Sequence, residues 1–304
     1  MRKRLVLVSA LALSSLCPGQ TVTFVARLHR HKSAQNRVLV GRLGELTFAD
    51  HVLAFKGDGH EKLEIPYTSV SKVVFDTTTH MRGVTPGSVA AEFVPAVGFI
   101  AGPVARAHHV QNYWLYVEYK DGNNDRDTLL EVGRDSFPKI IEKTSSVFAA
   151  KVVVANYPEK GAEIELSKLP DLNSKDAMRV DKVNHPRPQL KPGQALLVVV
   201  CPPLRTREAG RGNQFKLHAN DRVIAVNKPG TYSFAYLDPG KYRLVSQSEN
   251  AYGFEMDLEA GKAYYFLQNT FQGVFKASTS LSRNSPELVN YLADGSYYSD
   301  WKPK

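Results

Sequence analysis

Thr231-Tyr232-Ser233-Phe234-Ala235-Tyr236-Leu237-Asp238-Pro239-Gly240-Lys241-Tyr242-Arg243-Leu244-Val245-Ser246-Gln247 reads as two strand-length runs on either side of a tight turn. Asp-Pro-Gly supplies the fixed φ and the positive-φ residue that such a turn needs. The same grammar recurs outward from it. Phe215 to Ala219 and Arg222 to Val226 flank Asn220-Asp221, and Met256 to Leu258 and Ala263 to Gln268 flank Glu259-Ala260-Gly261-Lys262. Ala195 to Cys201 is a continuous apolar run of strand length. About seven short strands at this spacing predict a β-sandwich over 194–296. Gly230, Gly240 and Gly261 are its structural turn residues. Ser285-Pro286-Glu287-Leu288-Val289 predicts a capped helix start with Pro at its first position, and 297–304 reads as a tail.

Upstream, 156–193 carries Pro158, Pro170, Pro186, Pro188 and Pro192 among many charges and few aromatics. Such composition resists a packed core, so the stretch is expected to be a Pro-rich charged linker over the surface. Before it, residues 20–155 alternate in short runs bounded by turns: Leu43 to Phe48, Val52 to Lys56, Leu63 to Pro66 and Val70 to Phe75. Tyr113 to Tyr119 and Thr128 to Val132 flank Lys120-Asp121-Gly122-Asn123-Asn124, a strong hairpin signal. Phe137, Ile140, Ile141, Val147 and Phe148 then fall on one helical face, with Asp135 or Ser136 as cap and Pro138 in the first turn. Many strands closed by one amphipathic helix is the order of a small barrel plugged by a helix. The fold class expected is therefore mainly β, a small barrel with one C-terminal helix followed by a sandwich.

Arg2-Lys3-Arg4, the apolar run Leu5 to Leu16 and the small residues around Gly19 form the pattern of a secretory signal peptide over 1–19. The apolar stretch is well short of the roughly 20 residues that span a bilayer. Cleavage near Gly19 leaves Gln20 first and predicts an extracytoplasmic protein, periplasmic or secreted. Cys17 as a lipidation site is the alternative, although Leu16 stands where a small residue should precede it. Processing removes three positive charges, taking the formal net charge from +9 to +6. The roughly 285 remaining residues suit two domains. Cys201 is then the single cysteine, without a partner for an internal disulfide. Lys and Arg are mixed with acids, as in Lys56 to Glu64, which argues against nucleic acid and leaves peripheral membrane contact open.

Gly41-Arg42-Leu43-Gly44-Glu45-Leu46-Thr47-Phe48, Leu53-Ala54-Phe55 and Leu63-Glu64-Ile65-Pro66-Tyr67-Thr68-Ser69-Val70 resemble bacterial relatives of the pleckstrin-homology or GRAM-like barrel. His108-His109 before Trp114-Leu115-Tyr116-Val117-Glu118-Tyr119 fits the same group. The resemblance covers about 22–152 and implies a binding role; the basic first hairpin with which eukaryotic members bind phosphoinositides is missing here. Lys228-Pro229-Gly230-Thr231-Tyr232, Asp238-Pro239-Gly240-Lys241-Tyr242 and Leu258-Glu259-Ala260-Gly261-Lys262-Ala263-Tyr264-Tyr265-Phe266 resemble a bacterial domain of unknown function found in lipoproteins and other exported proteins. Many members carry Arg-Pro after the first strand where this chain has Cys201-Pro202, and the Gly-rich segment after the Tyr-Tyr strand is reduced to Gly273. That resemblance implies no activity.

Few residues suggest chemistry. His29 and His31 alternate and His108-His109 are adjacent, yet no Cys, Asp or Glu completes a zinc-like spacing, so surface or barrel-edge histidines and no metal are expected. No Gly-x-Ser-x-Gly elbow is present, and Ala209-Gly210-Arg211-Gly212 lacks the Lys-Ser/Thr of a phosphate loop. Cys201 reads as a buried strand residue with no His beside it. No catalytic residue and no cofactor are assigned. The candidate binding element is the uncharged segment Phe93 to Ala105, with Phe93, Val94, Val97, Phe99 and Ile100 as its apolar contacts. Trp114 and Tyr116 just beyond it offer anchoring area or strand packing. The function expected is an exported, non-enzymatic envelope scaffold for a protein, lipid or glycan partner. The alternative is a hydrolase with an unrecognised site at the junction of linker and sandwich.

Overall fold

The computed structural model describes residues 21–29, 43–58, 62–82, 108–159, 161–169, 178–203, 214–272 and 277–301. Among the described residues strand accounts for 60% and helix for 14%, in three sheets and two helices, so the fold is mainly β. The first half contains β1 (Val22–His29), β2 (Leu43–Phe48), β3 (Val52–Gly57), β4 (Lys62–Pro66), β5 (Val70–Arg82), β6 (His108–Asp121), β7 (Asn124–Val132), α1 (Phe137–Phe148) and β8 (Val152–Val154). Its strands form one sheet in the order β4-β3-β2-β1-β7-β6-β5-β8. β1 bridges the two meanders, pairing with β2 through Val22 to Arg27 and with β7 through Ala26 to His29. β4 and β8 are its ends, so among the described residues it is an open sheet and not the closed barrel that its strand order suggests. Gly44 lets β2 and β3 approach, because a Cβ there would meet the Lys56 carbonyl oxygen at 2.3 Å.

α1 covers one face of this sheet. Ile140 and Phe148 join Leu46, Phe55, Val73, Phe75, Leu115 and Leu130 in one buried cluster, with Phe137, Ile141 and Val147 packed against it. Phe137 lies edge-on to Phe75 at 5.5 Å and Phe148 edge-on to Tyr67 at 5.1 Å. The helical face read from the sequence is the face that is buried.

The second half comprises β9 (Ala162–Ile164), β10 (Met178–Asp181), β11 (Ala195–Cys201), β12 (Phe215–Ala219), β13 (Arg222–Asn227), β14 (Thr231–Leu237), β15 (Gly240–Gln247), β16 (Ala251–Leu258), β17 (Ala263–Gln272), β18 (Ala277–Arg283), α2 (Pro286–Asp294) and β19 (Tyr297–Trp301). Two sheets, β10-β19-β14-β11-β17-β18 and β13-β12-β15-β16-β9, stack face to face. Ala195, Leu197, Val199, Leu217, Leu244, Phe254 and Phe266 fill the space between them. Every residue of β11 is buried, because its other face is covered too.

That other cover corrects two expectations. The stretch 156–193 is not a strandless connector, since it supplies β9 to one sheet and β10 to the other; the tail supplies β19. Strands of three to five residues are too short to show period-2 alternation, and main-chain pairing with a neighbour suffices to define them. Nor are the halves joined by chain alone. Val74, Trp114, Tyr116 and Leu129 of the first sheet share a buried cluster with Leu196, Val198 and Val200 of β11 and with Leu288, Val289, Tyr291 and Leu292 of α2. These residues alternate with the ones facing α1, so the β5-β6-β7 region is covered on both faces.

The predicted turns are present. Gly230, Gly240 and Gly261 have φ of 79°, 151° and 71°. At Gly261 nothing lies within 4 Å of an added Cβ, so the requirement there is purely one of backbone conformation. Gly240→Val and Gly261→Val should each cost about 1 kcal/mol or more, a fall of roughly 2–4 °C in Tm. A differential scanning calorimetry trace unchanged in both variants would contradict these turn assignments.

Candidate functional site

A group of charged and polar side chains lies where the halves meet, at the N-terminus of α2. Asp76 projects from β5 and is buried. Its Oδ2 accepts hydrogen bonds from the Ser285 backbone N–H and hydroxyl, each at 2.7 Å. Its Oδ1 accepts from the Thr77 N–H at 2.7 Å and from Asn284 Nδ2 at 3.2 Å. Ser285 is the N-cap of α2 and its hydroxyl oxygen accepts from the Leu288 N–H, while the same hydroxyl donates a hydrogen bond to a carboxylate 209 residues away. Glu287 places an acid in the first turn and forms an ion pair with Lys72.

Around this cap, the Arg283 guanidinium sits 4.7 Å from the Tyr157 ring centre and 5.1 Å from that of Tyr264, and pairs with Glu159 at 2.5 Å. Burial raises the Asp76 pKa above the ordinary carboxylate value, against the pull of its four donors. Burial, with Asp76 nearby, pushes the Tyr157 hydroxyl up to about 12.

The other end of α2 carries a second group. Asp294 forms an ion pair with Arg187, and His185 Nε2 stands 3.9 Å from the same oxygen. Tyr116 donates to Asp127 at 3.3 Å, and burial raises the pKa of both Asp127 and Asp294. Burial also lowers the His185 pKa, with the Arg187 charge adding to the effect. This is the junction of linker and sandwich, and it brings a His beside an Asp. Arg187, however, holds the carboxylate oxygen that an orienting acid would offer to the imidazole.

The apolar segment with Phe93, Val94, Val97, Phe99 and Ile100 lies outside the described residues. Its attachment is described: β5 and β6 pair from Val70↔Tyr119 to Arg82↔His108, so residues 83–107 join the end of a long two-stranded ladder. Trp114 and Tyr116 are buried between the halves and are packing residues, Trp114 donating to Thr78 Oγ1 at 2.9 Å. His29 is not at the surface: it is buried, edge-on to the Trp114 ring at 5.0 Å and 3.4 Å from Glu131. His31, the side chains of His108 and His109, and Ala209 to Gly212 lie outside the described residues. Cys201 is fully buried, and burial raises its thiol pKa, which removes thiolate character. Among the described residues no group of three or more His, Cys, Asp or Glu could hold a metal ion, and no helix is long and apolar enough to cross a membrane.

Asp76 and its partners were not visible from sequence, because they come together only when β5 meets the cap of α2. No family model matches the chain, and no curated protein matches it.

Proposed function

We propose that this chain is an exported, non-enzymatic envelope protein that acts as a binding scaffold for a protein, lipid or glycan partner, its first half a PH- or GRAM-like module and its second a sandwich module. The observation that carries this reading is the saturation of the most unusual titratable group. A carboxylate offers about four lone-pair positions, and Asp76 has two donors on each oxygen. It has no acceptor position left for a substrate proton, and around it Lys72 pairs with Glu287 and Arg283 with Glu159. Their common effect is to fasten α2 and the sandwich to β5.

A scaffold fastened in this way holds the β5–β6 ladder at a set angle, and the ladder carries the uncharged segment Phe93 to Ala105. An apolar stretch of this kind is the candidate contact with a partner or with the membrane surface. Deleting 93–105 should leave far-UV circular dichroism and Tm unchanged, as expected of a segment that meets a partner instead of packing in the core. The same deletion should abolish co-sedimentation with envelope membranes or recovery of a partner in a pull-down. Unfolding of the first half on deletion, or undiminished recovery, would defeat the reading.

A further inference from the structure

The stretch after β10 is recognised by the sandwich in a way that its composition alone does not require. Asp181 turns the chain, accepting from the Val183 and Asn184 N–H groups at 2.9 Å each and from Asn184 Nδ2 at 2.8 Å. Residues 184–191 then run without helix, strand or turn across one face of β14. Pro186 and Pro188 restrict their own φ and push their predecessors toward extended backbone, the geometry of a polyproline II segment.

The face beneath is aromatic. Tyr232, Phe234 and Tyr236 alternate along β14 onto one side, and Tyr298 of β19 joins them, stacked on Phe234 at 5.5 Å and 28°. Tyr232 donates its hydroxyl to the Pro186 carbonyl at 2.9 Å and Tyr236 donates to the Gln189 carbonyl at 2.7 Å. The two carbonyls are three residues apart, one turn of a polyproline II helix. The His185 ring lies 4.8 Å from the Tyr232 ring, and Lys191 Nζ lies 3.9 Å over the Tyr236 ring. Arg187, between the two prolines, pairs with Asp294 at the edge of the face. An aromatic face under a proline-containing extended segment, hydroxyls on successive-turn carbonyls and an acid for an intervening base are elements suited to reading proline-rich ligands.

The occupant is lightly held. Among the described residues, the backbone from 184 to 190 makes no hydrogen bond to other backbone, and its flanks Val183 and Leu190 are 78% and 53% exposed. We propose that the aromatic face of β14 is a recognition groove for proline-rich extended segments, filled in the free chain by its own residues 184–192 and open to a Pro-Arg-Pro-type segment of a partner protein when those residues leave it. The tethered segment competes at high effective concentration, so the free chain presents a closed groove. None of the residues that form this surface lies within 83–107.

The test uses the full chain with 184–192 replaced by a Gly/Ser nonapeptide, and as probe the synthetic peptide Asn-His-Pro-Arg-Pro-Gln-Leu-Lys-Pro, followed by titration calorimetry. The replaced chain should keep its circular dichroism spectrum and bind the peptide saturably, while the wild type binds at least tenfold more weakly. Adding Tyr232→Phe and Tyr236→Phe should weaken binding by roughly tenfold, the worth of two hydroxyl hydrogen bonds. A milder variant, Pro186→Ala with Pro188→Ala, keeps the tether and should bind more peptide than the wild type. The proposal fails if neither folded variant gains binding, if the Tyr→Phe pair has no effect, or if replacement unfolds the chain and so shows the segment to be fixed structure. Concentration-dependent dimers of the wild type that the replaced chain does not form would make a second copy the occupant, and would overturn the assignment to a partner.

Discussion

Asp76→Ala should lower the Tm of the full chain by on the order of 6–12 °C. The substitution strands donors that are buried, the Ser285 N–H and hydroxyl, while Asn284 Nδ2 keeps its bond to the Thr77 carbonyl. Each unsatisfied buried donor costs about 1–3 kcal/mol, so a loss of about 3 kcal/mol is the expectation. At roughly 2–4 °C per kcal/mol for a chain of this class, that gives the shift stated. Asp76→Asn has nearly the same shape yet presents an NH2 group to one of two donor pairs, so it should recover only part of the loss. The two variants also separate packing from charge. Because burial raises the folded-state pKa of Asp76 above 3.8, the native chain binds that proton more tightly than the unfolded chain. The stabilisation from this group is therefore fully present below pH 3.8 and is lost as pH rises through the raised value. Asp76→Asn should remove that slope from a plot of Tm against pH. Wild-type stability in both variants would mean that the junction does not fasten the halves.

The parts of the fold that a reader could have drawn from the sequence are those defined locally. Ala195 to Cys201 and Thr231 to Leu237 are strands with the boundaries that their flanking turns mark, and Ser285-Pro286 begins α2 as cap and first residue. β18 was hidden because Ser278, Thr279, Ser280 and Ser282 make it look like a loop; Thr279 is in fact buried, 2.6 Å from Ser246 Oγ and bonded to the Asn269 carbonyl at 3.0 Å. The union of the halves had a signal that went unused. Val73-Val74-Phe75, Trp114 to Val117 and Leu129-Leu130 are apolar at consecutive positions, which a strand with one solvated face would not be. That pattern announces cover on both faces but does not name the partner. Asp76 and Ser285 are 209 residues apart, and nothing local to either marks it for the other.

Two-sided cover leads to the second large effect. Residues 20–155 expressed alone would expose Val74, Trp114, Tyr116 and Leu129, which are buried in the full chain beneath α2 and β11. Burying one such side chain is worth about 1.5–3 kcal/mol, so the four together approach the whole stability of an ordinary domain, about 5–15 kcal/mol. The isolated half should therefore bind a hydrophobic dye, associate on size-exclusion chromatography and lose cooperative unfolding. The full chain should melt in one calorimetric transition with no separate peak for either half. Replacing Val74 and Leu129 by Thr in the isolated half should reduce its association, since the α1 side of the sheet keeps its own core around Ile140 and Phe75. In the full chain the same replacements should destabilise, because they put hydroxyls where α2 and β11 offer apolar surface. This opposite response is what distinguishes a face built to be covered from one that merely tolerates water. A monomeric isolated half with a cooperative transition at the Tm of the full chain would show that the shared cluster adds nothing to the stability of either module.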